Sequence, residues 1–180
     1  MESLQTIKDR IPDYAKDLRL NLDAVINRSS LTPALAAGAA VAAAFAAKSP
    51  ALVAALQDDS ALEPSHREAA LTAAALMGMN NVWYPFVEMA ADAELKTVRP
   101  ELRMNAYASH GGVDRTSFEL YALAASIVGK CEFCVQSHYR LLRENGFTTQ
   151  QLRDVGRIAA VVNAVAQVLV IEQIDATATA

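Results

Sequence analysis

Alanine occupies 36 of the 180 positions. With Leu, Ile and Val it recurs at three- and four-residue spacings along almost the whole chain, a periodicity that a helix gathers onto one apolar face. Alanine is also the strongest helix former, while 7 Gly, 6 Pro and 6% aromatic residues supply few breakers and few strand formers. The chain is therefore read as all-α. At 19.3 kDa it fits one domain, residues 1–180, or two small halves sharing a core, with no room for separate cofactor and substrate domains. A hydrophobic fraction of 53% against 20% charged residues excludes a disordered chain. It also leaves surplus apolar surface that small-residue helices can bury between identical subunits, so an oligomer is expected.

Short punctuation divides the helices. The segment 3–26 carries Leu4, Ile7, Ile11, Leu18, Leu22 and Val25 at helical spacing, with Pro12 starting a second helix. Thr32 and Pro33 cap an alanine-rich helix to Ala47, and Ser49 with Pro50 repeats the signal. Ser65 with Glu68 reads as a capping box for a helix from His66 to Met77, stopped by Gly78; Asn80 then opens another to Ala90. Residues 99–112 are irregular, with room for one short helix. Asp114 caps a helix over 115–128, Gly129 breaks it, and the next runs from Cys131 to Asn145 and Gly146, making a helix pair of about 115–145. Thr148 with Gln151 boxes a last helix to Ile174, followed by a frayed tail. A shift of 51 residues lays Glu68 on Glu119 and Gly78 on Gly129. On this reading there are two internally similar helix–Gly–helix halves, and only the second bears cysteines.

A net charge of −4, a pI near 5.4 and the lack of any basic run argue against nucleic acid and against anionic membranes as partners. The most apolar stretches, 35–47 and 158–171, fall short of the roughly 20 residues a bilayer requires. Residues 1–10 carry Glu2, Lys8, Asp9 and Arg10 without an apolar run, so no secretory signal is read there and a cytoplasmic location is expected. In that reducing compartment a Cys-x-x-Cys pair, here Cys131 and Cys134, points to redox chemistry or metal binding before it points to a structural staple.

On one helix Cys131, Cys134 and His138 fall near one face. A cysteine in the first turn meets backbone N–H groups and the positive end of the helix dipole, which favour a thiolate. His138 can exchange a proton near neutral pH. Two thiols and a base are the minimum set for a peroxide-reducing dithiol, in which a thiolate becomes a sulfenic acid and the second thiol condenses with it. Glu119, in the apolar run Phe118, Leu120, Leu123, Ile127 and Val128, either pairs with His138 or Cys134 across the turn or faces solvent beside Arg115. Zinc held by Glu119, Cys131, Cys134 and His138 is a competing reading, as is a pair of small buried cysteines. His66 reads as a cap or surface residue and His110 as loop; Met77, Met79, Trp83, Tyr84 and Phe86 read as core or subunit contact.

The run Glu119, eleven residues, Cys131, two residues, Cys134, three residues, His138 resembles the active-site signature of the alkylhydroperoxidase D (AhpD) family. Residues 12–17 (Pro-Asp-Tyr-Ala-Lys-Asp), 77–82 (Met-Gly-Met-Asn-Asn-Val) and 102–105 (Leu-Arg-Met-Asn) extend the likeness over nearly the whole chain. The resemblance implies an all-α fold, a homotrimer, and reduction of alkyl hydroperoxides by the dithiol with no bound cofactor. It implies a dihydrolipoyl group as electron donor, carried on a lipoyl adaptor protein, and an AhpC-type peroxiredoxin as partner. Carried over by position, Cys134 is the sulfur oxidised to the sulfenic acid and Cys131 the resolving thiol. Glu119 and His138 become the proton relay, and Cys131–Cys134 the redox disulfide. Some members place a histidine directly before the second cysteine, where this chain has Phe133. The alternatives are a decarboxylase like the carboxymuconolactone decarboxylases, which needs no dithiol, and a non-catalytic redox-sensing or zinc-stabilised module.

Overall fold

A computed structural model describes residues 4–59 and 62–178 of the chain, and within them the regular structure is helical, with no strand. The order is α1 (Leu4–Asp9), a 3-10 turn (Asp13–Ala15), α2 (Lys16–Asn27), α3 (Pro33–Ala46), α4 (Pro50–Asp59), α5 (Pro64–Ala90), α6 (Asn105–Ala108), α7 (Arg115–Gly129), α8 (Glu132–Glu144) and α9 (Thr149–Ala178). The all-α expectation holds. Ser3 of the expected first segment, and Thr179 and Ala180 of the expected tail, lie outside the described residues; α9 itself runs past Ile174 to Ala178.

α3 is the axle. Ala36 to Ala44 are buried without a break, as befits a helix that is apolar on every side. Its small side chains let α5, α7 and α9 pack directly on its backbone. The approach is closest at Gly38, where a Cβ would stand 2.4 Å from the ring of the fully buried Tyr121 on α7. The N-caps read from the sequence at Thr32 and Asp114 are present, their side chains accepting from the Leu35 and Ser117 N–H groups. So is the Thr148–Gln151 box, in both directions. Asp154, 1% exposed, ties α9 to the connection before α3 by accepting from the backbone N–H and the hydroxyl of Ser30, each at 2.8 Å, beside Arg153 and Arg157.

Two expectations fail on α5. Its cap is Glu63 with Pro64 in the first turn, so Ser65 lies inside the helix and forms no capping box. Gly78 stops nothing: α5 runs unbroken for 27 residues, through Gly78 and Pro85, because glycine costs a helix only about 1 kcal/mol and the flanking residues pack on α3 and α7. The helix–Gly–helix pattern therefore does not recur in the first half. Gly129 has a different task from the one expected. Lys130, at φ 55°, makes the left-handed turn that ends α7. Gly129 is the last helical residue, and it is small because a Cβ there would stand 2.1 Å from Asn81 Nδ2 of α5.

The apolar run in α9 is longer than the sequence reading allowed. The stretch Thr149–Glu172 spans 24 residues and is long and apolar enough, by length and composition alone, to cross a membrane. Its Leu152, Val155, Ile158, Val162, Val165 and Leu169 are buried, and the helix packs on α2, α3 and α7, which accounts for that apolarity within the core.

Candidate redox-active site

The turn at Lys130 folds α8 back beside α7 and α5, so that Glu119, Cys131, Cys134 and His138 converge. Cys131 is the N-cap of α8, its Sγ accepting the Cys134 N–H at 3.2 Å, in the place where a helix leaves its first N–H groups unpaired. Cys131 and Cys134 are joined in a disulfide, with Cα atoms 5.3 Å apart. Both are buried, yet they face different surroundings. Cys131 Sγ lies 3.9 Å from the Asn80 carbonyl oxygen of α5. Cys134 lines a cleft of about 260 Å³ together with Met77, Tyr84, Tyr107, Phe133 and His138. Phe133 is half-exposed and stacks on Tyr84 with ring centroids 4.2 Å apart, forming an aromatic wall beside the sulfur.

Glu119 is 1% exposed, so its charge must be matched inside the protein. Oε2 lies 2.6 Å from His138 Nδ1, Oε1 accepts from the Tyr107 hydroxyl, and Arg115 Nε is 3.8 Å from Oε1. Of the two placements open in the sequence, the one paired with His138 is the one adopted, with Arg115 nearby as well. Burial alone would raise the Glu119 pKa. The hydrogen bonds to His138 and Tyr107 and the positive charges of His138 and Arg115 outweigh it, and the carboxyl is held below its ordinary range. Burial and the bond to Glu119 push Tyr107 up to about 12, so it is a donor at any working pH. His138 is buried, and its other nitrogen, Nε2, lies 3.2 Å from Met77 Sδ.

Among the described residues, no three or more His, Cys, Asp or Glu side chains are grouped as a metal site. The sulfurs are bonded to each other and Glu119 is engaged by His138 and Tyr107, so the four residues weighed as zinc ligands do not form a set. His66 and His110 stand apart from the dithiol: His66 Nδ1 is 2.6 Å from the Tyr121 hydroxyl, and His110 packs its ring on Tyr107 and Phe118. The sequence reading missed Tyr107, which lines the cleft. Met77, read as core or subunit contact, is in the core as expected and lines the cleft as well, as does Tyr84. Tyr107 sits on a four-residue helix inside the irregular stretch, where no periodicity marks it. Met77 and Tyr84 are seven apart on α5, two turns along one face, a signal that reads as site only once Gly78 is known not to break the helix.

Residues 93–174 match the carboxymuconolactone decarboxylase family. Over nearly the full length the chain is 44% identical to the alkyl hydroperoxide reductase AhpD of Rhodospirillum centenum across 169 residues, covering 93% of this chain and 90% of that one. It is 43% identical to the AhpD of a Bradyrhizobium species, covering 91% of each chain. To the AhpD of Coxiella burnetii it is 40% identical, covering 94% of this chain and 98% of that one. With the dithiol at the mouth of α8, the buried Glu119–His138 pair behind it and this likeness along nine-tenths of its length, the chain belongs to the AhpD family.

Proposed function

We propose that this protein is a dithiol peroxidase that reduces organic hydroperoxides. The observation that carries the reading is a bonded Cys131–Cys134 pair whose second sulfur alone lines a cleft, beside a histidine held by a buried carboxylate. In the reduced protein His138 takes the Cys134 proton, and the thiolate attacks the terminal peroxide oxygen. The O–O bond breaks, Cys134 becomes a sulfenic acid, and the departing alkoxide takes a proton from His138 and leaves as the alcohol. Cys131, at the N-cap where backbone N–H groups favour a thiolate, attacks the Cys134 sulfur; the disulfide forms and hydroxide leaves as water. Glu119 and His138 together are the proton relay, His138 carrying the proton and the buried carboxylate holding the ring in place and offsetting its charge when it is protonated. Phe133 brings no proton-transferring group, so that traffic falls to His138.

An external dithiol must then reopen the disulfide by exchange. A dihydrolipoyl group, carried by a lipoyl adaptor protein, is the donor we assign, with no cofactor bound by the chain itself. An AhpC-type peroxiredoxin is the protein partner. The names of the relatives support peroxide reduction, and the location is read as cytoplasmic. A homotrimer fits an exposed stripe on α5, where Val82, Phe86 and Met89 recur at four- and three-residue spacing in solvent. Light scattering should give three times 19.3 kDa; a clean monomer at low micromolar concentration contradicts the trimer.

The test of the activity is consumption of cumene hydroperoxide with dihydrolipoamide as sole reductant. The reading requires turnover that stops when either cysteine is replaced by serine. Peroxide loss at the same rate in the Cys131→Ser, Cys134→Ser double variant would remove the dithiol from the chemistry.

A further inference from the structure

Tyr107 belongs to no part of the signature that led to the site, yet it holds one of the two oxygens of its buried carboxylate. Its ring is fixed edge-on against Phe118 and His110, with centroids 5.5 and 5.7 Å away, and its hydroxyl donates to Glu119 Oε1. His138 Nδ1 holds Oε2 at 2.6 Å. A carboxylic acid must place its proton on one of its two oxygens. Here each oxygen receives a donor, and both bonds are stronger to the carboxylate than to the neutral acid, so together they favour the charged form. The buried charge is therefore kept, and the histidine proton nearest to it stays on Nδ1.

We propose that Tyr107 is a positioning residue for the redox site: by donating to Glu119 Oε1 it reserves Oε2 and the negative charge for His138 Nδ1. Protons exchanged with the sulfurs and the departing alkoxide then pass through His138 Nε2 and go no further. Nε2 is the atom that remains, set 3.2 Å from Met77 Sδ in a cleft lined by both His138 and Cys134. Thioether sulfur is only a weak acceptor, so Met77 can receive the Nε2 proton of the charged ring without holding it back from transfer. The titratable and charged groups around the pair are Arg115 of α7, 3.8 Å from Oε1, and His110, packed on the Tyr107 ring; α5 presents the uncharged Met77 and Asn80. With the Tyr107 hydroxyl gone, Oε1 keeps only Arg115 at long range, and the buried carboxylate loses part of what offsets its desolvation. Glu119 then titrates higher, and at acid pH its protonation disrupts the orientation of His138.

The inference rests on the dithiol peroxidase reading for its role, but the titrations in its test do not depend on turnover. In the reduced protein, carbon NMR of the Glu119 carboxyl and nitrogen NMR of the His138 ring are followed against pH in wild type and in Tyr107→Phe, which keeps the ring packing. Wild type should show the neutral His138 ring carrying its proton on Nδ1. Tyr107→Phe should raise the Glu119 titration by about one pH unit, a tenfold gain in proton affinity, as expected for losing one hydrogen bond to a charged group. The acid limb of the peroxide-reduction rate should move up with it, so that Tyr107→Phe loses more rate at acid than at alkaline pH. Adding Tyr107→Phe to Glu119→Gln should leave that limb where Glu119→Gln alone puts it. A wild-type His138 carrying its neutral-form proton on Nε2 overturns the assignment without any variant, as does an unmoved Glu119 titration or a rate loss equal at all pH. If the titrations come out as stated while no peroxide is reduced, the peroxidase reading fails and the positioning role stands.

Discussion

Gly129 and Gly78 are 51 positions apart, align in the sequence, and should respond to alanine in opposite directions. At Gly129 a Cβ would stand 2.1 Å from Nδ2, 2.4 Å from Cγ and 2.8 Å from Cβ of Asn81. The Asn81 amide is not free to retreat, because it donates to the Ala125 carbonyl of α7 at 3.2 Å. Overpacking of this kind costs about 1–3 kcal/mol, and the lost hydrogen bond about 1 more, so Gly129→Ala should destabilise by about 2–4 kcal/mol. For a chain of this size that lowers Tm by roughly 5–15 °C. At Gly78 a Cβ meets nothing within 4 Å, the site is exposed, and the helix runs on in both directions. Gly78→Ala should therefore stabilise by about 0.5–1 kcal/mol, or roughly 1–4 °C. The assay is thermal and urea unfolding of both variants in the oxidised form at one fixed protein concentration, since assembly shifts apparent stability. A Gly129→Ala protein as stable as wild type, or a Gly78→Ala protein less stable than it, refutes the packing argument and the unbroken α5 respectively.

Cys134→Ser should abolish peroxide reduction, while Cys131→Ser should stop after one oxidation, leaving a sulfenic acid that a dimedone-type reagent traps on Cys134. An adduct on Cys131 of the Cys134→Ser protein, with none on Cys134 in the reciprocal variant, reverses the two roles. Glu119→Gln and His138→Gln should each slow the reaction by about 10²-fold, measured as peroxide consumed under excess dithiol; near-normal rates with unchanged pH profiles contradict the relay. For Asp154 burial works to raise the pKa, but the bonds from Ser30, Arg153 and Arg157 prevail and hold it well below the usual carboxylate range. A carboxyl depressed in the folded state adds stability above its unfolded pKa of about 3.9, lost as pH falls toward the folded value. Asp154→Asn should therefore cost about 2 kcal/mol at neutral pH and flatten the acid limb of the stability curve below about pH 4, read by urea unfolding at a series of pH values.

The helices were legible wherever a cap and an apolar period agree, as at Thr32, Asp114 and Thr148, because a side-chain oxygen three residues before a free N–H is a local matter. α5 was misread because its decisive interactions are not local. Ser65 and Gly78 look like a start and a stop, and packing of the surrounding alanines on α3 and α7 overrides both. Gly129 was singled out for the wrong reason for the same cause, since nothing near it in the chain announces Asn81. At the site, Cys131, Cys134 and His138 were readable from spacing, whereas for Glu119 spacing left a paired and a solvent-facing placement equally open and only the family resemblance tipped it toward the site. Tyr107 was not readable, because it reaches Glu119 from an irregular segment whose placement depends on the whole bundle.

The central claim is that Cys131 and Cys134 are a reversible two-electron couple that a peroxide oxidises. The most direct measurement is a thiol count on the reduced protein before and after one equivalent of cumene hydroperoxide, with the alcohol product assayed alongside. The account predicts a fall from two thiols per chain to none, one alcohol formed per chain, and a Cys131–Cys134 disulfide in the peptide map. Two thiols persisting while peroxide remains, or a disulfide joining different chains, would contradict it.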